Sequence, residues 1–205
     1  GMSYLTLGSL YLEFPEHQNG SGFYRDLNLE NATTTTRYQV DDVTYTRTTF
    51  ASFTDNVIIM HIKASKANAL NFTIAYNFPL VHKVNVQNDK LTVTCQGKEQ
   101  EGLKAALRAE CQIQVKTNGT LRPAGNTLQI NEGTEATLYI SAATNYVNYQ
   151  DVSADESHRT SEYLKRAMQI PYEKALKNHI AYYKKQFDRV RLTPVSYTHL
   201  RAHET

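Results

Sequence analysis

The stretch "TTTTRYQVDDVTYTRTTF", Thr33–Phe50, decides the fold. β-branched and aromatic residues fill both of its arms, a composition that suits pleated, half-buried backbone. Asp41-Asp42 sits between the arms as the tip of a hairpin. Two strands of this kind need further strands to pack on, and the flanking sequence supplies them.

Working outward, apolar and polar residues alternate from residue 3 to about 145. In "SLYLEF" (9–14), Leu10, Leu12 and Phe14 point one way while Tyr11 and Glu13 point the other. "NVIIMHIKA", "ALNFTIAYNF", "KLTVTC", "AALRAECQIQVKT", "NTLQI" and "ATLYISAAT" follow, separated by short polar or glycine-containing turns such as "ASKAN", "VQND" and "NEG". About ten short strands with no helix between them imply antiparallel sheets packed face to face. The expected fold class is mainly β: an antiparallel sandwich over residues 1–150.

The periodicity changes after Tyr149. "DESHRTSEYLKRAM" (155–168) reads as a helix with Asp155 as N-cap. Pro171 then opens a second helix, in which Tyr172, Leu176, Ile180, Tyr183, Phe187 and Val190 form one apolar stripe. Such a stripe either folds back on the sandwich or meets another domain.

The chain has 22 Lys+Arg against 20 Asp+Glu, a formal net charge of +2. With no basic stripe, nucleic acid is not an expected partner. No apolar run is long enough to span a bilayer, so no membrane partner is expected either. Cys95 and Cys111 lie on neighbouring strand-like segments, and either a bridge or two buried thiols suits them. N-x-S/T sequons occur at Asn19, Asn31, Asn71 and Asn118, and they matter only in a eukaryotic secretory pathway.

Motifs that carry chemistry are sparse. Gly20-Ser21-Gly22 lacks the context of a phosphate-binding loop, and no G-x-S-x-G elbow occurs. The carboxylate pairs Asp41-Asp42, Glu99 with Glu101, and Asp155-Glu156 all fall at turns or a helix start, where structural roles suffice. His17, His61 and His82 have no second His or Cys at ligand spacing, so neither a metal nor a cofactor is expected. His179 reads as a helix-interface residue making one hydrogen bond. Exposed aromatics can serve as sugar platforms, and Tyr146 and Tyr149 in "TNYVNYQD" leave the last strand at the sandwich rim. Covering the ends of the sandwich is the favoured reading of them.

Four stretches, in order, resemble the N-terminal region of the family 95 glycoside hydrolases, the α-L-fucosidases of gut and soil bacteria. They are "YLTLGSLYLEF", "YRDLNLENATTTTRYQVDDVTYTRTTFASFTDNVIIMHIKA", "ATLYISAATNY" and "HIAYYKKQFDRVRL". The resemblance implies a super-sandwich domain, here without its first strands, and a helical linker (151–193) towards an (α/α)6 catalytic barrel. It further implies a periplasmic or secreted bacterial parent that removes terminal α-linked L-fucose, or L-galactose, with inversion. The family's catalytic residues lie in the barrel, so none is carried onto this chain, which is expected to be inactive alone. The barrel becomes the expected intramolecular partner, with fucosylated oligosaccharide as the parent's substrate. His179, Tyr183, Phe187, Tyr146 and Tyr149 are the candidate sugar or interdomain contacts. A free-standing carbohydrate-binding or structural sandwich is the alternative, and exposed edges and helix faces raise an expectation of self-association.

The sequence closes on "SYTHLRAHET" (196–205), where His199 and His203 stand four apart as in a metal-binding helix. The same ten residues resemble a translated transposase adapter, so 194–205 is read as a non-native tail.

Overall fold

The computed structural model describes residues 6–99, 101–102 and 104–191. The tail from residue 194, with its two histidines and its likeness to an adapter, lies outside the described residues.

Among the described residues, twelve strands precede two helices: β1 (Ser9–Glu13), β2 (Ser21–Asn28), β3 (Thr33–Val40), β4 (Val43–Ser52), β5 (Val57–Ala64), β6 (Leu70–Asn77), β7 (His82–Gln87), β8 (Lys90–Gln96), β9 (Arg108–Thr117), β10 (Thr120–Ala124), β11 (Thr127–Gly133), β12 (Glu135–Thr144), α1 (Glu156–Met168) and α2 (Tyr172–Phe187). One sheet has four strands in the order β1-β6-β11-β10, and the other has eight, β2-β3-β4-β5-β12-β9-β8-β7. Every pairing is antiparallel, and the hairpin closes with Val40 opposite Val43, as its sequence predicts.

The alternation explains the two layers. Ile62 and Ala64 of β5, Cys111, Ile113 and Val115 of β9, and Leu138 of β12 face the small sheet, where Leu70, Ile74, Leu128 and Ile130 meet them. Full burial of each large aliphatic side chain contributes about 1.5–3 kcal/mol. The opposite face of the large sheet is also covered. Phe50, Val57, Ile59 and Tyr139 form a second core with Leu164, Ala167 and Ala175 from the helices. Strand β5 is therefore buried on both sides at its centre, which is why "VIIMHI" reads as a nearly continuous apolar run.

Asp155 caps α1, its side chain accepting from the His158 N–H at 2.9 Å. Pro171 stands at the N-cap of α2. Both helices fold back onto the sandwich, α1 over β12 and β9 and α2 over β4. The buried line of α2 differs from the expected stripe. Ala175 and His179 are its buried residues, whereas Phe187 is 41% and Val190 73% exposed. A small residue at 175 lets the helix approach the sheet closely, and that rotates the apolar stripe partly outward.

Cys95 and Cys111 are free thiols. Cys95 stands opposite Ala109 and Cys111 opposite Val93, so the two are diagonal neighbours, a separation of about 7–8 Å that exceeds disulfide reach. Burial pushes the Cys111 thiol up to about 12.

Candidate functional site

The carboxylates that the sequence offers as acid/base candidates are either exposed at turns or engaged in structural hydrogen bonds. Asp41 and Asp42 are exposed at the hairpin tip, and Lys66 pairs with Asp42 and holds its carboxyl below the usual range. Glu99 and Glu101 are exposed. Asp155 is the cap of α1, and Glu156 takes a two-pronged hydrogen bond from Arg108 at 2.7 and 3.2 Å, which lowers its pKa. Two buried carboxylates, Asp55 and Glu110, are ones that sequence reasoning missed. Glu110 is 5% exposed on the outer face of β9 and accepts from Thr160 Oγ1 at 2.8 Å and Gln112 Nε2 at 2.6 Å. Its place in the alternation of β9, opposite Cys111 in side-chain direction, marks it in retrospect. It pins α1 to the sheet and faces no open cleft.

The histidines are likewise structural. His17 Nδ1 lies 2.7 Å from Tyr38 Oη, and its ring stacks on Phe14 and lies tilted against Tyr45. His61 lies flat against Tyr172 of α2, ring centroids 4.1 Å apart, and its Nδ1 is 2.9 Å from Thr137 Oγ1. Among the described residues, no group of three His, Cys, Asp or Glu is placed to hold a metal ion. No helix among them is long and apolar enough to cross a membrane.

What remains is a surface built by α2 and two turns. The turn after β2 is locked from within. Asn28 Oδ1 accepts from the N–H groups of Glu30 and Asn31, and Ala32 adopts a left-handed φ of 49°. A non-glycine residue there is strained and needs support from outside. His179 gives it, its Nε2–H shared between Asn31 O and Ala32 O at 3.1 Å each. Tyr183 Oη adds a hydrogen bond of 2.7 Å to Leu29 O.

The turn after β4 is set by Ser52 Oγ donating to Asp55 Oδ2 at 2.5 Å. It projects Phe53, 70% exposed, onto Tyr182 with centroids 5.0 Å apart and planes 12° from parallel. Along α2, His179, Tyr183 and Phe187 form a row with spacings of 6.4 and 5.1 Å, anchored on Phe50 beneath His179. Between the turns and the helix lies an apolar cleft of about 460 Å³, lined by Ala32, Ala51, Phe53, His179, Tyr182, Tyr183 and Gln186.

Three of the expected contacts, His179, Tyr183 and Phe187, thus come together. Tyr146 and Tyr149, 49% and 86% exposed, do not join them, and no ring pairing links either to α2 among the described residues. They follow β12, whose Thr144 end lies at the same end of the sheet as the Phe53 turn. Phe53 and Tyr182 were missed. Phe53 sits in a turn outside any periodic run, and Tyr182 is off the stripe that the helical spacing picks out.

A second groove, of about 450 Å³, runs between α1 and β9 and is lined by Lys90, Gln112, Gln114, Lys116, Ser161 and Lys165, among others. Lys116 is engaged there, donating to Met168 O at the end of α1.

The comparisons with known proteins agree with this architecture. Alpha-L-fucosidase 2 of Arabidopsis thaliana is 25% identical over 219 aligned residues, which cover 92% of this chain. The chain spans 26% of that relative's length. A protein named as a kojibiose phosphorylase, from the human microbiome, superimposes with a TM-score of 0.55 at 10% identity. That overlap covers 80% of this chain and 25% of the other, and it shows the fold alone. Residues 1–149 match the family described as glycosyl hydrolase family 65, N-terminal domain, and the chain belongs to that family.

Proposed function

We propose that this chain is the non-catalytic N-terminal domain of an α-L-fucosidase of glycoside hydrolase family 95, acting on fucosylated glycans with inversion and supporting an (α/α)6 catalytic barrel. The observation that carries the reading is the extent of the fucosidase match, 92% of this chain but 26% of the relative. Both helices fall within a match of that reach, so the likeness is not confined to the sandwich. The site chemistry supports a non-catalytic role. An inverting glycosidase needs two carboxyl groups about 6.5–9.5 Å apart across a sugar-sized opening, and the candidate carboxylates here are exposed at turns or spent on helix attachment.

The test compares two proteins on α-1,2-fucosylated oligosaccharide: this chain, and the product of the intact gene that contains it. Fucose release by the longer protein, with none from this chain, is the expected result. A longer product that releases no fucose but cleaves another glycoside would sink the fucosidase reading, and so would an intact gene with no barrel. Saturable binding of the oligosaccharide to this chain would favour a sugar-binding module instead.

A further inference from the structure

The groove between α1 and β9 is polar and cationic, unlike the apolar cleft beside α2. Its floor is the outer face of the large sheet, where Gln112, Gln114 and Lys116 alternate along β9 and Lys90 of β8 stands opposite Gln114. Its wall is one face of α1, with Ser161, Lys165 and Met168 at helical spacing. Three lysines and, among the described residues, no acidic side chain line it. We propose that this groove binds an acidic saccharide, a short run of hexuronate units. Binding there is independent of which glycoside the full-length protein cleaves.

Lys116 donates to Met168 O, so its charge offsets the negative C-terminal end of α1. Lys90 and Lys165 are left to face a ligand, one from the sheet and one from the helix. The carboxylates around the groove compete weakly for them. Asp89 Oδ2 takes the Gln114 amide at 2.9 Å, and the buried Glu110 takes Gln112 and Thr160. Glu162 lies 3.8 Å from Lys165, but both side chains are well exposed, and such a pair contributes little. Lys90 makes no ion pair among the described residues.

Gln112 asks for a hydroxyl as well as an anion. It is 3% exposed, and its Nε2 donates to Glu110 Oε1 at 2.6 Å and to Ser161 Oγ at 3.1 Å. The Glu110 carboxylate fixes the amide in that orientation, because the opposite one would set oxygen against oxygen. Gln112 Oε1 is thereby left buried without a partner, a state that folded proteins rarely keep. It needs a donor, which a sugar hydroxyl supplies and a sulfate or carboxylate ion does not. That oxygen is covered, so the donor reaches it as the long side chains of the groove swing aside. The Ser161 hydroxyl accepts from Gln112 and keeps its own proton to donate. A volume of about 450 Å³ falls within the range of small-ligand sites, roughly 300–1,000 Å³.

Titration of this chain with trimers of galacturonate and of mannuronate, followed by calorimetry and by amide chemical shifts, tests the assignment. The expected result is saturable binding of at least one acid trimer, with shifts at residues 112–116 and 161–169 and at the Gln112 side-chain amide. Lys90→Gln and Lys165→Gln should each weaken binding about fivefold or more, and Lys177→Gln, on α2, should leave it unchanged. The methyl esters of the trimers keep every ring hydroxyl and lose the charge, and they should bind at least about tenfold more weakly. No saturable binding of either acid trimer would overturn the proposal, and so would esters that bind as well as the acids. Equal binding of hexaglutamate would also overturn it, by showing a general polyanion surface. Affinity unchanged in both groove variants, or shifts confined to other parts of the chain, would place the ligand elsewhere and overturn it too.

Discussion

The imidazole of His179 lies on the ring of Phe50, centroids 4.7 Å apart and planes 30° from parallel. It joins three segments distant in sequence: α2 carries it, β4 stacks under it, and the turn before β3 accepts its N–H. His179→Ala leaves two carbonyls without that donor and a void over Phe50. The expected loss is about 2–3 kcal/mol. Phe187→Ala, on the same helix but well exposed, should shift stability by about 0.5 kcal/mol or less. Urea midpoints of the two variants check this, and equal losses would show that α2 is not held through His179.

Attachment of α2 should also respond to pH. Burial holds the pKa of His61 below its ordinary value, and the nearby Glu135 and Glu173 only partly offset this. His17 is lowered in the same way, with Glu16 opposing. The folded state therefore prefers both imidazoles neutral and binds fewer protons than the unfolded chain below about pH 6.5. Stability from this source is present above about pH 6.5 and is lost as pH falls through the lowered folded values. Urea titrations between pH 7.5 and 5 should show the decline, and His61→Gln should flatten it. An unchanged slope in that variant would exclude His61 as a source.

How far the sequence showed the structure depends on burial. β4, β5, β9 and β12 alternate or run apolar because the centre of the large sheet is covered on one or both faces. The three strands that the sequence stretches do not include, β2 (Ser21–Asn28), β7 (His82–Gln87) and β10 (Thr120–Ala124), all lie at sheet edges and carry weaker signals. β2 is an edge strand, exposed along most of its length, with a register shift between Ser21 and Tyr24 around Gly22. β10 is also an edge and contains Pro123, a residue that edges tolerate and central strands do not. The docking of α2 was legible as a helix but not as a rotation, since Ala175 and His179 carry little hydrophobic signal. Phe53 gave no signal, because its exposure follows from a turn geometry set by Ser52 and Asp55.

The buried Glu110 ties α1 to β9 through Thr160. Thr160→Val keeps the shape, removes the donor and leaves the carboxylate with one partner fewer. A hydrogen bond to a charged group is worth about 1.5–3 kcal/mol, so a loss near 2 kcal/mol is expected. Adding Glu110→Met in the same background removes the group left in want and should restore part of that loss. A double-mutant cycle on thermal unfolding measures the coupling. Additive losses would mean that Glu110 and Thr160 do not act as a pair.

Two glycines separate steric from conformational constraint. A Cβ built at Gly119 would lie 2.6 Å from Asn131 O and 2.7 Å from the backbone of Gly133, because the turn from β9 to β10 crosses the end of β11 there. Backbone on the far side cannot swing aside as a side chain would, so Gly119→Ala should cost about 2–3 kcal/mol. Gly22 presents the other case: its φ is +58°, and nothing lies within 4 Å of the added atom. Gly22→Ala carries only the left-handed penalty, about 1 kcal/mol. Thermal unfolding of both variants under one buffer should therefore rank Gly119→Ala as clearly the less stable. The reverse order would mean that the β9–β10 turn yields more easily than the edge bulge of β2.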